Sequence, residues 1–417
     1  MELNRVVITG LGALTPIGNN VSKYWENLVH GVSGAENITH FNAEKFKTRF
    51  ACEIKGFDPL LYFDKKELRK YDDYTVYGLV SADEAIKDSG LNLDDVEKSS
   101  VGVIWGSGIG GIKTFSHEVG EYIRGGETPR FNPFFIPKMI ADIAAGIISI
   151  KYGFQGPNFA TVSACASSSH AIIDAFNYIR LGKASVFVCG GSEASVHPAG
   201  VGGFNALKAL STKNDHPKQA SRPFDLNRDG FVLGEGAGAL VLENYNHAVA
   251  RNAKIYGEVV GGGMSADAHH ITAPHPEGKG AIIVMKNALS DAKINPSDID
   301  YINVHGTSTP LGDISEMKAI HNVFRDDVYN LNISSTKSMT GHLLGAAGAI
   351  ESIACVLSLN DSIVPPTINL NNLDPNLDNK VNYTANLAQN SELKYALCNT
   401  FGFGGHNASI VFKKMEN

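Results

Sequence analysis

Short runs of apolar and β-branched residues recur along the chain, and several of them end in glycine. The first is Val6–Gly10, whose composition predicts a buried strand. The same pattern predicts further strands at 101–106, 186–191, 239–242, 301–304 and 408–412. Apolar residues at helical spacing predict helices at 74–89, 139–152, 170–181, 280–292 and 343–358. This alternation indicates an α/β protein whose sheet is covered by helices on both faces.

The chain shows no low-complexity segment and no obvious linker between domains. At 255–261 a new series of strand, loop and helix begins after a basic helix end. We therefore expect a division near residue 255, into parts at 1–254 and 255–417. The sequence shows no clear repeat between the two parts.

The composition of the 417 residues is that of an ordinary globular protein, with 43% hydrophobic and 19% charged residues. The formal net charge of -7 does not favour a nucleic-acid partner. Since no apolar run is long enough to cross a bilayer, no membrane partner is expected either. The five cysteines are widely spaced and form no CxxC pair, which argues against a zinc site and a disulfide framework. This cysteine usage predicts a reducing, cytoplasmic setting.

Cys165 lies in a run of small residues, Ser163–Ser169, directly before an apolar stretch with helical spacing. The cysteine is therefore expected at or just before the first turn of a helix. Unpaired backbone N–H groups and the positive end of the helix dipole favour a thiolate there, and small neighbours leave room for a substrate. A buried, unreactive thiol is the alternative, because free cysteine is among the most buried residue types.

The segment Gly106–Gly111 follows a predicted strand and fits the pattern G-x-G-x-x-G. That pattern alone is compatible with a dinucleotide site. The residues after it suggest a polar helix and then Phe131–Pro137, which does not read as the second strand that such a site needs. The pattern therefore favours a glycine-lined turn beside a substrate over a nicotinamide or flavin site.

Two histidines and a lysine occupy positions next to apolar elements. His305 ends a predicted strand, and the carboxyl end of a strand is where α/β folds bind ligands. Lys337 and His342 precede a helix of small and apolar residues, where they are costly to bury without polar partners. Glu351 on that helix can balance the charge of Lys337. The alternative is structural: a hydrogen-bonded His305, and an ion pair beside a capping His342.

A glycine-rich segment, Asn399–Asn407, lies near the end of the chain and contains Phe401. Glycines let backbone N–H groups turn toward a ligand, and a phenylalanine among them can move. The segment is therefore either part of an oxyanion hole or a gate, or it is a plain turn.

Together these segments resemble the β-ketoacyl-acyl-carrier-protein synthases, the elongating condensing enzymes of fatty-acid synthesis, and within them the subfamily called synthase II. Each motif is weak alone, but their joint occurrence in this order along nearly the whole chain is specific. The matching segments are 6–18, 106–111, 133–137, 163–169, 209–215, 221–225, 229–236, 305–310, 335–349 and 399–407.

The resemblance implies a thiolase-like fold, in which two similar α/β halves pack as five layers, α-β-α-β-α. The half at 1–254 would carry the nucleophile and the half at 255–417 the histidines. It also implies an acyltransferase, a 3-oxoacyl-acyl-carrier-protein synthase, that works as a cytoplasmic homodimer. Its partner would be acyl carrier protein in acyl and malonyl forms. No cofactor or metal is expected, because the substrates travel on the carrier's phosphopantetheine arm.

The resemblance also assigns chemistry to single residues. Cys165 would attack the acyl thioester and hold the chain covalently. Neutral His305 and His342 would donate to the enolate oxygen that forms when malonyl carrier protein loses carbon dioxide. The backbone N–H groups of Cys165 and Phe401 would hold the oxyanion of the tetrahedral intermediate. In this interpretation the helix terminus activates Cys165, and no partner base of the protease type is needed.

Further residues are implied in supporting and binding roles. Lys337, with Glu351 as its charge partner, would orient the histidine site. Thr307 and Thr309 would hydrogen-bond the phosphopantetheine arm, and Phe401 would gate the acyl pocket. The walls of that pocket would be formed by Ile109, Phe204 and Phe135 of the partner subunit. The basic residues implied for docking the acidic carrier, which would otherwise form a solvated surface, are Lys65, Lys66, Arg69, Lys70 and Lys208.

Some positions depart from the pattern of synthase II. The cysteine turn reads SACASSS, whereas threonines are common there, and His406 stands where threonine is also common. Both departures leave the acyl-chain preference open. The alternatives are the same chemistry in a synthase of type I, or in an aryl-polyene or polyketide pathway. A non-catalytic carrier-binding subunit is disfavoured, because it would not need Cys165, His305 and His342 together.

Overall fold

The computed structural model describes residues 3–416. Its strands are Val6–Leu14 (β1), Glu36–Asn37 (β2), Phe50–Ala51 (β3), Val101–Gly106 (β4), Asn158–Thr161 (β5), Val186–Glu193 (β6), Gly236–Asn244 (β7), Gly257–Ala266 (β8), Tyr301–Asn303 (β9), Asn332–Ser334 (β10), Ile363–Val364 (β11), Gln389–Asn390 (β12), Tyr395–Gly402 (β13) and His406–Lys413 (β14). Its α-helices are Val21–Val29 (α1), Lys65–Leu68 (α2), Asp73–Asp88 (α3), Ile112–Arg124 (α4), Phe135–Met139 (α5), Ile143–Tyr152 (α6), Ser167–Arg180 (α7), Pro198–Ala206 (α8), Tyr245–Ala250 (α9), Lys279–Ala292 (α10), Pro310–Phe324 (α11), Lys337–Thr340 (α12) and Ala347–Asp361 (α13).

The predicted strands coincide with β1, β4, β6, β7, β9 and β14, and three predicted helices coincide with α3, α7 and α10. Two helix predictions were partly wrong. The segment 139–152 is interrupted because Ile140 has an extended backbone, with ψ 138°, between α5 and α6. The helix predicted at 343–358 begins only at Ala347, because Leu344 has φ +47°, which an α-helix does not accommodate.

Ten strands form one hydrogen-bonded sheet in the order β10-β9-β13-β14-β8-β1-β7-β6-β4-β5. Its two ends are built alike. When the strands of each half are numbered in chain order, both halves follow the order 3-2-4-5-1 from the outer edge to the middle. The parallel and antiparallel pairings also match between the halves. The halves meet where β1 pairs with β8, and the repeat is structural although the sequence does not show it.

Helices cover both faces of each half of the sheet. Helices α7 and α13 share one buried apolar cluster with residues of β1, β7, β13 and β14. Helices α3 and α6 cover the outer face of the first half, and α10 and α11 cover that of the second half. These are the five layers of the predicted fold. The predicted boundary at 254/255 lies between α9 and β8 and stays a prediction.

The two central helices pack unusually closely at their N-terminal ends. The hydroxyl of Ser168 accepts a hydrogen bond of 3.0 Å from the backbone N–H of Ala349. A Cβ at Gly348 would lie 2.0 Å from the Ser169 hydroxyl. A Cβ at Gly106, on β4, would lie 2.5 Å from the backbone of Ser167 and Ser168. Glycine is therefore required where α7 approaches β4 and where α13 approaches α7. The contact with α13 places the start of α7 beside the second half.

Within residues 3–416, no helix is both long enough and apolar enough to cross a membrane.

We expect Gly106→Ala to destabilise the protein by about 1–3 kcal/mol, because the added methyl group must displace backbone at the start of α7. The free energy of unfolding in denaturant measures this effect. Gly203→Ala is the matched control, since Gly203 is exposed on α8 and a Cβ there meets nothing within 4 Å. An equal loss of stability in both variants would contradict the close approach of α7 to β4.

Candidate active site

Cys165 lies in a short 3-10 turn, Ala164–Ala166, between β5 and α7. Its predicted position just before the first turn of a helix is confirmed. The side chain is buried, with 8% of its surface exposed. Ala164 has φ +50°, a left-handed conformation that a residue with a side chain adopts only where its surroundings enforce it. The nucleophile candidate therefore sits on a constrained turn.

The two histidines come from loops of the second half and are held through their backbones. The N–H groups of His305 and Gly306 each donate to the carboxylate of Glu316, at 2.8 Å. The N–H of His342 donates to the carbonyl of Val232 at 2.8 Å, and its carbonyl accepts from Gly234 at 3.0 Å. Both imidazole rings are thus fixed in position while their nitrogens stay free to face the cysteine.

The fold brings the three predicted residues together. The Nε2 atom of His342 lies 3.0 Å from the Sγ atom of Cys165. A ligand atom from each of Cys165, His305 and His342 lies within 4.8 Å of the others. The two imidazole rings are 5.2 Å apart at their centroids and nearly perpendicular, at 87°. Residues distant in sequence thereby form one compact reactive group.

Burial controls the protonation of Cys165, His305 and His342. Burial, together with the positive charge of Lys337, lowers the pKa of both His305 and His342 well below its usual value, so both rings are neutral near neutral pH. Burial also raises the pKa of the Cys165 thiol to about 12, although Lys337 and the backbone N–H of Phe403 lower it. With this pKa the sulfur is a thiol at neutral pH.

The protonation state of the Cys165 thiol determines what its activation requires. A thiol that is protonated at rest must lose its proton when it attacks. The neutral Nε2 atom of His342 is within hydrogen-bond reach of the sulfur and can receive that proton. The resemblance implies activation by the helix terminus without a partner base, and this stays a prediction; the geometry places Nε2 of His342 within reach of the sulfur.

Lys337 and Glu351 form the predicted ion pair beneath the histidines. Their side chains bond directly, and 1% and 0% of their surfaces are exposed. Burial raises the pKa of Glu351 to about 7, while Lys337 lowers it. The backbone carbonyl of Lys337 accepts from the Ser221 hydroxyl at 2.7 Å. Since a lone charge this deep would be strongly unfavourable, each partner keeps the other in place.

A single cavity of about 510 Å³ opens onto the cysteine and both histidines. Among the predicted site residues, those that line it are Ile109, Cys165, Phe204, Lys208, His305, Thr307, Thr309, His342 and Phe401. The hydroxyls of Thr307 and Thr309 lie 3.1 Å apart. The ring of Phe401 lies 5.7 Å from the ring of His305, where it can restrict access.

Other predicted residues lie outside this lining. Phe135 stacks on Phe131, with ring centroids 5.5 Å apart, and does not reach the cavity of its own chain. The basic residues of and beside α2 are all exposed on the surface and none lines the cavity; they are Lys65, Lys66, Arg69 and Lys70. Lys208, also exposed, is the one predicted docking residue among the lining residues.

Two aromatic residues of the site were not predicted. Phe231 packs edge-on against His342, with centroids 5.3 Å apart, and also contacts Phe204. Phe403 lines the cavity, and its backbone N–H lowers the pKa of the Cys165 thiol. Both residues lie in segments that carried the resemblance, but spacing alone did not show which side chains or amides turn inward.

Glu193, at the end of β6, was also missed. Its buried carboxylate accepts from the N–H groups of Gly108 at 2.8 Å, Ile109 at 3.2 Å and Gly345 at 3.0 Å. It therefore joins a cavity wall in the first half to the turn before α13 in the second. Because this carboxylate occupies the amides of the G-x-G-x-x-G turn, they are not available to a dinucleotide phosphate.

The described residues include one set of metal-ligating side chains close enough to share an ion, and it is the same Cys165, His305 and His342. The positive charge of Lys337, which acts on both histidines, opposes a cation there. The absence of a resident metal stays a prediction.

Comparisons with known proteins match nearly the whole chain. The family models described as "Beta-ketoacyl synthase, N-terminal domain" and "Beta-ketoacyl synthase, C-terminal domain" match residues 3–248 and 256–371. The chain is 48% identical over 417 residues to 3-oxoacyl-[acyl-carrier-protein] synthase 2 of Vibrio harveyi, with 100% of both chains covered. It is 49% identical over 412 residues to the protein of that name from Staphylococcus aureus, with 99% of each covered.

Solved structures are also similar to this chain over nearly its whole length. A beta-ketoacyl synthase from Burkholderia phymatum matches with a TM-score of 0.92 and 34% identity, over 99% of this chain and 100% of that one. A type II polyketide ketosynthase, solved in complex with its acyl-carrier protein, matches with a TM-score of 0.89 and 32% identity, over 99% and 100%. The chain therefore belongs to the beta-ketoacyl synthase family.

Within that family it is a condensing enzyme of the acyltransferase class, with the thiolase-like fold predicted from its motifs.

We expect Lys337→Met and Glu351→Gln to shift the reactivity of Cys165 in opposite directions. Lys337 lowers the pKa of the thiol and Glu351 raises it. Lys337→Met should therefore move the pH profile of Cys165 alkylation by iodoacetamide to higher pH, and Glu351→Gln should move it to lower pH. Shifts in the same direction would contradict the electrostatic role assigned to the ion pair.

Proposed function

We propose that this cavity joins an acyl chain, held on Cys165, to a two-carbon unit released by decarboxylation. The chain is an elongating 3-oxoacyl-acyl-carrier-protein synthase of type II fatty-acid synthesis, as are the full-length relatives at 48% and 49% identity. The observation that carries the mechanism is the Sγ atom of Cys165 beside two neutral imidazoles in one cavity.

The first half-reaction loads the enzyme. The thiol proton of Cys165 passes to Nε2 of His342 as the sulfur attacks the thioester carbonyl. The resulting oxyanion is held by the backbone N–H groups of Cys165 and Phe401, while the N–H of Phe403 lowers the pKa of the thiol. The thioester bond to the carrier then breaks, and the departing thiolate takes the proton back from His342.

The second half-reaction forms the carbon–carbon bond. The malonyl carboxylate leaves as carbon dioxide, and its electron pair moves into an enolate whose oxygen becomes negative. His305 and His342, both neutral, donate N–H groups to that oxygen. This requires His342 to carry its proton on Nε2 in this step, the tautomer opposite to the one that accepts the thiol proton. The enolate carbon attacks the acyl carbonyl on Cys165, the carbon–sulfur bond breaks, and the departing thiolate takes a proton from solvent, which regenerates the cysteine thiol. His342 thus acts in both half-reactions, and His305 acts in the second.

The cavity also supports the proposed binding roles. Thr307 and Thr309 present adjacent hydroxyls for the phosphopantetheine arm. Phe401 stands next to His305 as the gate, and Ile109 and Phe204 form apolar walls for the acyl chain. The proposal needs no cofactor, because each substrate arrives as a thioester on its carrier. Five free, buried cysteines support a reducing, cytoplasmic location.

A homodimer is part of the proposal. Strand β5 is one of the two edge strands of the ten-stranded sheet, and exposed edges are normally covered. Large apolar side chains are exposed in the same region: Ile136 at 54%, Ile150 at 76% and Val162 at 61%. A second copy on this face would cover them and bring in Phe135 of the partner subunit, which does not reach the cavity of its own chain.

The proposed carrier partner is supported by a solved relative. The polyketide ketosynthase of 32% identity was captured with its acyl-carrier protein. The polyketide alternative is weaker, however, because the fatty-acid relatives share 48% and 49% of their residues with this chain. We propose that Lys65, Lys66, Arg69 and Lys70, with Lys208 at the cavity, attract the acidic carrier.

Intact-mass analysis after incubation with acyl carrier protein should show one acyl adduct on the enzyme, which Cys165→Ala should abolish. His305→Ala should keep this adduct while its decarboxylation of malonyl carrier protein falls by about 10²–10³-fold. His342→Ala should impair both half-reactions, because its ring contacts the sulfur. An adduct that persists in Cys165→Ala, or normal carbon dioxide release by His305→Ala, would refute the mechanism.

Charge reversal of the docking residues should weaken carrier binding alone. Lys65→Glu combined with Lys66→Glu should raise KM for acyl carrier protein about tenfold at low salt, with little change in kcat. Acylation by a small acyl-pantetheine thioester, which lacks the carrier, should not change. The control is the exposed pair Lys286→Glu and Lys380→Glu, which adds the same charge elsewhere. Equal KM changes in both double variants would argue against a docking patch on α2.

A further inference from the structure

We propose that Arg228 is a positioning residue, which fixes the loop between β9 and α11 and thereby holds the hydroxyls of Thr307 and Thr309 where the phosphopantetheine arm binds. The proposal rests on the proposed function, because it requires a thioester that enters the cavity along these hydroxyls. Thr307 and Thr309 line the cavity, whereas Arg228 does not, so Arg228 acts through the loop and does not touch the substrate.

The guanidinium of Arg228 is buried, with 2% of the side chain exposed, and it donates to the loop directly. Nε donates to the carbonyl of Thr309 at 3.2 Å, and Nη2 donates to the carbonyl of Pro310 at 2.9 Å. Nη1 donates at 2.9 Å to the carbonyl of Asp225, in the segment that precedes β7. One rigid, planar group thereby joins this segment to the start of α11 and to the threonine before it.

Two buried carboxylates balance the charge of Arg228. The Oδ2 atoms of Asp313 and Asp374 lie 3.3 Å from Nε and 2.8 Å from Nη1. Asp313 also reaches the loop, because its Oδ1 atom accepts from the N–H of Ser308 at 3.1 Å. Its Oδ2 atom accepts from the N–H of Phe224 at 2.9 Å. Arg228 favours the ionised form of Asp313, which can accept from both amides at once.

The loop has a strained backbone that needs such anchors. Ser308, between the two threonines, is fully buried and has φ +68°, an unfavourable conformation for a residue with a side chain. Its carbonyl accepts from the N–H of Gly230 at 3.1 Å, and its hydroxyl accepts from the N–H of Arg222 at 3.0 Å. The two threonine hydroxyls lie 3.1 Å apart in this arrangement. Release of the loop would therefore change how they face the cavity.

A lysine at position 228 cannot make the same contacts. It keeps the positive charge for the two aspartates, but its ammonium is a single point at the end of a flexible chain. The guanidinium of Arg228 donates in fixed directions to three carbonyls. Arg228→Lys therefore removes the directed hydrogen bonds and keeps the charge, so the variant should still fold.

Two thioesters separate this role from a general structural one. Hexanoyl-pantetheine carries the amides and hydroxyl of the arm, which threonine hydroxyls can bind. The S-ethyl thioester of hexanoic acid presents the same reacting carbonyl to Cys165 and lacks all of these groups. Displaced threonines should therefore slow acylation by the pantetheine thioester alone, whereas damage to the fold or to the cysteine should slow both reactions.

The test measures the second-order rate of Cys165 acylation by each thioester, from intact mass. Arg228→Lys should lower the rate with hexanoyl-pantetheine by about fivefold to tenfold and keep the S-ethyl rate within about twofold of the parent. Thr307→Val combined with Thr309→Val should lower the same ratio of the two rates. Adding Arg228→Lys to that pair should lower the ratio no further, because both changes remove one interaction.

A second variant and a matched control accompany this test. Asp313→Asn should also lower the ratio, because an amide cannot accept from the N–H groups of both Ser308 and Phe224 as the carboxylate does. Arg180→Lys is the control, since it makes the same substitution in an ion pair of 2.7 Å with Asp291, outside the lining of the cavity. It should keep the parent ratio even where it lowers Tm.

The proposal is overturned if Arg228→Lys and Asp313→Asn keep the parent ratio, or if they slow both thioesters equally. An equal change of the ratio in Arg180→Lys would also overturn it. So would a parent ratio in the threonine pair, or losses that multiply when Arg228→Lys is added to that pair. Failure of the parent enzyme to form an acyl adduct with acyl carrier protein would instead refute the proposed function.

Discussion

The close contact between α7 and α13 is the constraint on which the rest of this enzyme depends. Each helix belongs to one half of the repeated architecture, and each follows the loop that carries reactive groups of its half. Glycine at Gly348 and serines on α7 let the two N-terminal ends approach within hydrogen-bond distance. As a result, Cys165 and His342, 177 positions apart in the chain, come within 3.0 Å of each other. Neither half alone contains all of the reactive side chains.

Because the contact between α7 and α13 is buried, it also determines the protonation of the groups beside it. A site between the two halves is largely shielded from water, so ionisation becomes unfavourable for every group in it. The histidines stay neutral and the thiol keeps its proton until a substrate arrives. Lys337 and Glu351 lie at this depth as a buried ion pair. The pair adds little to stability by itself, but it holds a fixed positive potential beside groups that must carry negative charge during the reaction.

Some residues of the site could be predicted from the sequence, and others could not. Apolar periodicity predicted the main strands and central helices, because strands and helices repeat over a few neighbouring residues. Motif order then pointed to Cys165, His305, His342 and Lys337. It did not show that the amides of the G-x-G-x-x-G turn are taken by Glu193, or that the Phe403 amide lowers the pKa of the thiol. Such contacts join distant segments, and no local pattern encodes them.

The sequence by itself determined the order of strands and helices along the chain, the small-residue turn before α7, and the kinds of reactive side chain available. Only the tertiary structure decided that the two halves repeat one topology, and that His342 stands within reach of the cysteine as a proton acceptor. It also decided the protonation states. Local sequence places Cys165 at a helix terminus, which favours a thiolate, whereas burial by residues from both halves raises the pKa of its thiol. Desolvation depends on everything packed around a group, and packing exists only in the folded molecule.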